Sequence, residues 1–140
     1  MGATITDARL ISALDEAYRR APKQDPLTVF AEHLAPDCVF EDWVGGVRVQ
    51  GADAIRTEVY ERYLQTYRDC AYEVEASVTD GRQLVVSGMF RGRKVRESGD
   101  EIEVQWRFRD LYEVGNGLVR WFSVASDTAA VDAQLEGEAA

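Results

Sequence analysis

Strict alternation of apolar and polar residues marks the segment from Glu101 to Val114. The apolar members of one face are Ile102, Val104, Trp106, Phe108, Tyr112 and Val114. Asp110 falls in the same phase, so a strand would carry it on that face. Burial disfavours an ionised carboxyl and raises its pKa unless a partner compensates. The pattern therefore predicts a half-buried strand whose inner aspartate stays protonated near neutral pH and donates a hydrogen bond.

Three earlier segments have the periodicity of helices. The first has apolar positions at Ile11, Leu14, Ala17, Tyr18 and Ala21, which predicts a helix over about residues 6 to 21 with Tyr18 on its apolar stripe. Asp25 and Pro26 form a cap followed by a proline at the first helical position, so a short helix begins there and ends before Pro36. The third segment has Ile55, Val59, Tyr63 and Tyr67 spaced four apart, which predicts a helix from about residue 52.

The remaining segments are predicted to be strands and turns. Residues 38 to 43 and 47 to 50 predict strands joined through the tight turn that Gly45-Gly46 permits. Two dipeptides, Asp80-Gly81 and Asn116-Gly117, predict two-residue hairpin turns. They would join residues 72–79 to 84–95 and the Asp110 strand to residues 118–126. The predicted helices come first along the chain and a long meander of strands comes last, an order that is typical of an α+β fold.

Charge and composition narrow the possible partners. The chain has 140 residues, of which 46% are hydrophobic, and its net charge is −9. An acidic surface argues against nucleic acid and anionic membranes, since both attract basic surfaces. With no apparent signal peptide we expect a cytoplasmic protein, in which Cys38 and Cys70 stay reduced. His33 is the single histidine, so no histidine-rich metal site is expected. No cofactor is expected either.

Three stretches carry a resemblance to a known family. They read Leu-Ala-Pro-Asp-Cys-Val-Phe-Glu-Asp-Trp-Val-Gly, then Gln-Gly-Ala-Asp-Ala-Ile-Arg, then Ser-Asp-Thr-Ala-Ala. With them the chain resembles the NTF2-like superfamily in its SnoaL-like and ketosteroid-isomerase-like branches. The resemblance implies a cone-shaped (cystatin-like) α+β fold, in which a curved antiparallel sheet wraps three N-terminal helices around a deep apolar pocket. We expect one such domain over residues 1–128 and a flexible acidic tail over residues 129–140.

The same resemblance implies catalytic residues. It puts the general base of the isomerases at Asp42, their helix-one tyrosine at Tyr18 and their second oxyanion donor at Asp110. Such a set transfers a proton next to a carbonyl, as ketosteroid isomerase does. Trp43 departs from the pattern, because the isomerases commonly carry proline there, and its indole is expected to cap or block the pocket. Substrate contacts are expected from Phe40, Trp43, Tyr60, Tyr63, Trp106, Phe108 and Phe122.

The favoured function is thus a small cofactor-free enzyme, an isomerase or polyketide cyclase, acting on an apolar steroid- or polyketide-like substrate. One alternative is an epoxide hydrolase or cyclase of the same fold that uses Asp42 and Asp69. The other is a non-catalytic module that binds a small molecule or a partner, in which Asp42 bonds backbone N–H groups near Gly45. A homodimer is expected through the outer sheet face, where Val85, Met89 and Leu111 interrupt polar positions.

Overall fold

The computed structural model describes residues 5–126, so the predicted tail lies outside the described residues. The first helix, α1, spans Asp7–Arg20, and its N-cap Thr6 accepts a hydrogen bond from the Arg9 amide at 3.2 Å. The second, α2, spans Pro26–Glu32, and its N-cap Asp25 accepts from the Leu27 amide at 2.9 Å. Both helices confirm the sequence predictions, because the capping residues and the proline at the first helical position set where each begins.

The third helix, α3, consists of three consecutive pieces. An α-helical turn Ala52–Ile55 leads into a π-helical segment Arg56–Glu61 and then an α-helical piece Arg62–Thr66. Tyr67, which the four-residue spacing assigned to this helix, is instead the first residue of a strand. In an ideal α-helix each four-residue step passes a full turn by about 40°. The wider π-helical turn offsets that drift and keeps Val59 and Tyr63 facing the same side.

Six strands form one curved open sheet in the order β2-β1-β6-β5-β4-β3. Their bounds are Leu34–Asp42 (β1), Val47–Gln50 (β2), Tyr67–Thr79 (β3), Gln83–Val95 (β4), Glu101–Gly115 (β5) and Leu118–Val124 (β6). Neighbours are antiparallel except β1 and β6, which are parallel. The predicted α+β class is confirmed.

The two predicted hairpin turns differ in outcome. Gly115 pairs with Leu118 across Asn116 and Gly117, which have φ values of 54° and 73°, as a two-residue turn with left-handed residues requires. The Asp80-Gly81 prediction of a two-residue turn is wrong, because Thr79 pairs with Leu84. The Asp80 carboxylate accepts from the amides of Arg82 and Gln83, and these bonds hold the chain in a longer loop.

The core lies between the helices and the concave face of the sheet. Leu10, Leu14 and Tyr18 of α1 are fully or almost fully buried. Phe30 of α2 packs at 4.6 Å from the ring centre of Phe122, which stacks on Tyr112 at 4.3 Å. Burial along β5 follows the predicted alternation without a break from Val104 to Val114. Within residues 5–126, none of the helices has the length and apolar character that crossing a membrane requires.

A candidate acid–base site in an aromatic cavity

A cavity of about 200 Å³ opens between the concave sheet face and helices α2 and α3. Its wall is mostly aromatic. The lining residues are Leu27, Phe40, Val59, Tyr63, Tyr67, Tyr72, Phe90, Trp106, Phe108, Asp110, Phe122, Val124 and Ser126. Cavities of this kind, apolar with few polar groups, are typical small-molecule sites.

Asp110 is the carboxyl group in the wall of this cavity. It lies on the inner face of β5 and is only 7% exposed. Burial raises its pKa from 3.8 to about 7, and the hydrogen bond from Tyr18 partly opposes that rise. Its Oδ2 atom accepts the bond from the Tyr18 hydroxyl. No other partner is found among the described residues, so Oδ1 is the oxygen free to meet a molecule in the cavity.

Tyr18 and Tyr112 stand behind Asp110 and hold it in place. The Tyr18 and Tyr112 hydroxyls are 2.6 Å apart. Since Tyr18 donates its proton to Asp110, it accepts from Tyr112. Burial, and next the Asp110 charge, raises the pKa of both phenols well above their ordinary value, so both stay neutral donors. The predicted burial of Asp110 within reach of Tyr18 is therefore confirmed.

Asp42 lies at the end of β1, where the chain turns toward β2. Its Oδ1 accepts from the amides of Val44 at 3.0 Å and Gly45 at 2.9 Å, which is an Asx-type turn. The cavity lining does not include it. It pairs with Val124, which does line the cavity. Asp42 thus stands beside the cavity, with one carboxylate oxygen committed to the turn.

Three other predicted site residues lie away from the cavity wall. Trp43 is 64% exposed and donates through Nε1 to Glu41 at 3.1 Å, so it neither caps nor blocks the cavity. The Tyr60 hydroxyl bonds Thr28 at 2.8 Å, because the π-helical segment turns it toward α2. Asp69 is 62% exposed and ion-paired with Arg93.

The other predicted substrate contacts do meet around the cavity. Phe40, Tyr63, Trp106, Phe108 and Phe122 all belong to its lining. Within residues 5–126 no group of three histidine, cysteine, aspartate or glutamate residues is placed to hold a metal ion.

Comparison with protein families decides the relationship. The model of the SnoaL-like domain matches residues 15–122, which includes Tyr18, Asp42 and Asp110. The chain belongs to the SnoaL-like family of NTF2-like proteins. A search among curated proteins finds no significant match.

Solved structures share the fold of this SnoaL-like domain at low sequence identity. An NTF2-like protein from Burkholderia thailandensis is 19% identical, with 94% of this chain and 98% of that chain covered and a TM-score of 0.70. A proposed SnoaL-like polyketide cyclase from Shewanella denitrificans is 14% identical, with 94% and 97% covered and a TM-score of 0.74. AclR, a proposed hydroxylase from Streptomyces galilaeus, is 17% identical, with 94% and 81% covered and a TM-score of 0.68.

Tyr72 lines this SnoaL-like cavity but was not among the site residues predicted from the sequence. Tyr72 lies on the inner face of β3, and its hydroxyl is 3.3 Å from that of Tyr63. Burial raises the pKa of Asp25, the N-cap of α2, and the hydrogen bond from the Leu27 amide partly opposes that rise. The alternation of Cys70, Tyr72 and Val74 was a signal for Tyr72.

Proposed function

We propose that this SnoaL-like protein carries out acid–base chemistry on a compact apolar carbonyl compound, with Asp110 as the central group. The single observation behind the proposal is a carboxyl with a pKa of about 7 in the wall of an aromatic cavity. A group with a pKa near the operating pH can both accept and donate a proton at a small free-energy cost. The proposed polyketide cyclase among the structural neighbours supports isomerisation or ring closure as the reaction class.

In the proposed mechanism, protonated Asp110 donates a hydrogen bond from Oδ1 to the carbonyl oxygen of the substrate. This bond stabilises the negative charge that develops on oxygen when a proton leaves the adjacent carbon. Tyr18 stabilises the carboxylate form through Oδ2, and Tyr112 in turn bonds Tyr18. We keep Asp42 as the proposed general base, since it neighbours the cavity residue Val124 and its Oδ2 is not used by the turn amides.

The volume of the cavity favours small substrates. A cavity of about 150 Å³ holds one benzene molecule, and pockets for drug-sized ligands begin at about 300 Å³. At about 200 Å³ this cavity suits a compound of one or two rings better than a steroid.

The second candidate function is ligand binding without chemistry. One observation favours it, namely that Asp42 Oδ1 accepts two amide hydrogen bonds in a turn. A binding module would need Asp42 for folding and Asp110 for recognition of an oxygen atom. The epoxide hydrolase alternative has less support, because Asp69 is paired with Arg93 outside the cavity.

The test is a turnover assay with wild type, Asp110→Leu and Asp42→Asn. Suitable substrates are a one-ring β,γ-unsaturated ketone, an aldol-type polyketide mimic and a small epoxide. We expect Asp110→Leu, which removes the hydrogen-bond donor, to lose about 100- to 1,000-fold in kcat/KM on a carbonyl substrate. A similar loss in Asp42→Asn would support it as the base. Binding without turnover of any substrate would favour the binding module, and equal rates for wild type and Asp110→Leu would refute the proposed role of Asp110.

We also propose a homodimer formed through the convex face of the sheet. Val78, Val85 and Leu111 are cross-strand neighbours on β3, β4 and β5. Val78 is 67% exposed, and Met89 lies four residues from Val85 on the same face. A two-fold axis would place this apolar row against its own copy.

A further inference from the structure

The charge of the cavity wall is negative and comes from one group. Of the thirteen described residues that line the cavity, Asp110 is the only one whose side chain ionises near neutral pH. The lining that these residues form includes no lysine or arginine. The hydroxyl of Tyr18 occupies Oδ2 of Asp110, so Oδ1 remains available. The cavity therefore offers a guest molecule one carboxylate oxygen and no positive partner.

The titratable groups around Asp110 add no charge of their own. Those described are the phenols of Tyr18 on α1, Tyr72 on β3 and Tyr112 on β5, and burial raises the pKa of each well above its ordinary value. The residues that pair with Asp110 on β4 and β6 are valines. Within residues 5–126, an ionised Asp110 thus has no ion pair, only the hydrogen bond that Tyr18 donates.

The rest of the wall is mostly aromatic, with rings at steep angles to one another. Tyr67 meets Phe90 at 80° and Trp106 at 65°, with ring centres 5.8 and 5.6 Å apart. Tyr72 meets Phe90 at 65° and Phe108 at 82°, each at 5.2 Å. Rings at such angles cannot form one flat wall, so they enclose the cavity from several sides. Aromatic cages attract organic cations, because the face of an aromatic ring carries negative charge.

A carboxylate and aromatic rings together discriminate between guests by charge. An anion that entered would lose its hydration and meet the like charge of Asp110. A cation also loses hydration, but Oδ1 accepts its hydrogen bonds and the ring faces attract it. The net charge of −9 attracts cations at longer range as well. A positive guest is therefore favoured both on approach and in the bound state.

We propose that the cavity also binds a compact organic cation, namely a protonated amine carried on a single ring. The ammonium group donates to Oδ1 of Asp110, and the ring of the amine lies among the aromatic side chains. The volume of about 200 Å³ sets the size of the guest, since about 150 Å³ holds one benzene molecule. Binding of the amine uses the ionised form of Asp110 and needs no turnover, so it does not rest on the proposed function.

The test compares benzylamine, benzyl alcohol and benzoate in NMR titrations at pH 8. The three compounds share one ring and are similar in size, but they are cationic, neutral and anionic at this pH. Asp110, with a pKa of about 7, is mostly ionised there. We expect wild type to bind benzylamine about 5- to 15-fold more tightly than benzyl alcohol, the gain of a charge-assisted hydrogen bond over a neutral one. Benzoate should bind most weakly.

Asp110→Asn should remove the preference for benzylamine, because the buried ammonium group loses its counter-ion. Continued binding of benzyl alcohol would show that the cavity of the variant is intact. Wild type at pH 5 gives a second readout that needs no variant. Benzylamine is still a cation at that pH, but Asp110 is protonated, so the preference should largely disappear.

Glu103→Gln is the matched control for net charge. It removes one carboxylate from the same strand as Asp110, but Glu103 is exposed and does not belong to the cavity lining. Both variants change the net charge by the same amount, so a general attraction of cations to an acidic protein would fall equally in both. Glu103→Gln should keep the preference of wild type.

Binding of the amine and turnover of a carbonyl compound can fail separately. Equal affinity of wild type for benzylamine and benzyl alcohol, or a preference that persists in Asp110→Asn, would overturn the cation site and leave the chemistry of Asp110 to its own turnover assay. Equal loss of the preference in Glu103→Gln would also overturn it, as would a failure of all three compounds to bind. A preference that requires Asp110 and survives in Glu103→Gln would support the cation site even if no compound were turned over.

Discussion

Asp110 makes the stability of this protein depend on pH in an unusual direction. Its pKa rises from 3.8 to about 7 on folding because the carboxyl is buried. The folded state therefore binds more protons than the unfolded state between these values, and stability falls as pH rises through that window. The shift corresponds to about 4 kcal/mol. Urea unfolding at pH 4 to 8 should show this loss in wild type relative to Asp110→Asn, which cannot titrate at that position.

Tyr18→Phe provides a second check of the predicted pH dependence, because it changes the pKa of Asp110 without replacing Asp110 itself. The Tyr18 hydrogen bond lowers the pKa of Asp110, so its loss should move the Asp110 titration to higher pH. A parallel pH dependence in wild type and Asp110→Asn would contradict the assignment of the shift to this carboxyl.

The position of Asp42 predicts different effects of its two simplest replacements. Asparagine keeps an oxygen that accepts from the amides of Val44 and Gly45, whereas alanine removes it. We expect Asp42→Ala to lower the free energy of unfolding by about 0.5 to 2 kcal/mol, comparable with the loss of a helix cap, and Asp42→Asn to change it little. Chemical denaturation measures both. Equal destabilisation by the two would show that the turn hydrogen bonds contribute little to folding.

At the scale of residues, the sequence predicted which side chains are buried better than it predicted where each side chain points. The alternation of β5 identified Asp110 as an inner residue, because a period of two leaves only two faces. The family resemblance put the general base at Asp42, but the carboxylate of Asp42 accepts from the amides two and three residues ahead. Local side-chain to backbone bonds of this kind compete with periodicity. The hydroxyl pair of Tyr63 and Tyr72 joins two separate elements, and no local pattern encodes it.

At the scale of elements, β3 and β4 meet at a point where only glycine fits. The register of β3 shifts between Val74 and Ala76, and the backbone of β3 lies against Gly88 there. A Cβ atom on Gly88 would lie 1.9 Å from the carbonyl oxygen of Glu73. Backbone cannot yield as a flexible side chain does, so we expect Gly88→Ala to cost about 3 kcal/mol or more. Thermal or urea unfolding measures the cost.

Gly115→Ala is the control for that substitution. Its Cβ would meet the Cδ atom of Arg120 at 2.9 Å, and the long arginine side chain can move aside. We expect a change within about 1 kcal/mol. If both variants were equally stable, the close approach of β3 to β4 would not constrain the sheet.

The bounds of helices and turns were predicted well where a local sequence motif determines them. Capping residues gave the starts of α1 and α2, and Asn116-Gly117 gave the turn between β5 and β6. The π-helical segment and the register shifts of β3 were missed, since each adjusts the chain to neighbours distant in sequence. Tyr63 follows the π-helical segment, and Tyr72 lies between the two register shifts of β3. The sequence therefore predicted much of the cavity wall without predicting that these two hydroxyls pair.

At the scale of the whole molecule, the proposed dimer predicts a specific response to charge. Val85→Glu places a carboxylate in the apolar row on the convex face of a chain with a net charge of −9. We expect wild type to sediment as a dimer at micromolar concentration and Val85→Glu as a monomer with an unchanged circular dichroism spectrum. Val47→Glu, on a 48% exposed residue of β2 away from that row, should remain dimeric. Wild type that stays monomeric at high micromolar concentration would refute the interface.

The hydrogen bond between Tyr18 and Asp110 joins residues 92 positions apart in the chain. The residues that line the cavity likewise run from Leu27 to Ser126, so no short fragment can hold a guest molecule by itself. Whatever occupies the cavity must leave when the chain unfolds, so occupancy raises the melting temperature by mass action. A ligand at 100 times its Kd adds about 2.7 kcal/mol. Measuring the melting temperature in the presence of each compound of a library therefore identifies ligands of the cavity before any reaction is known.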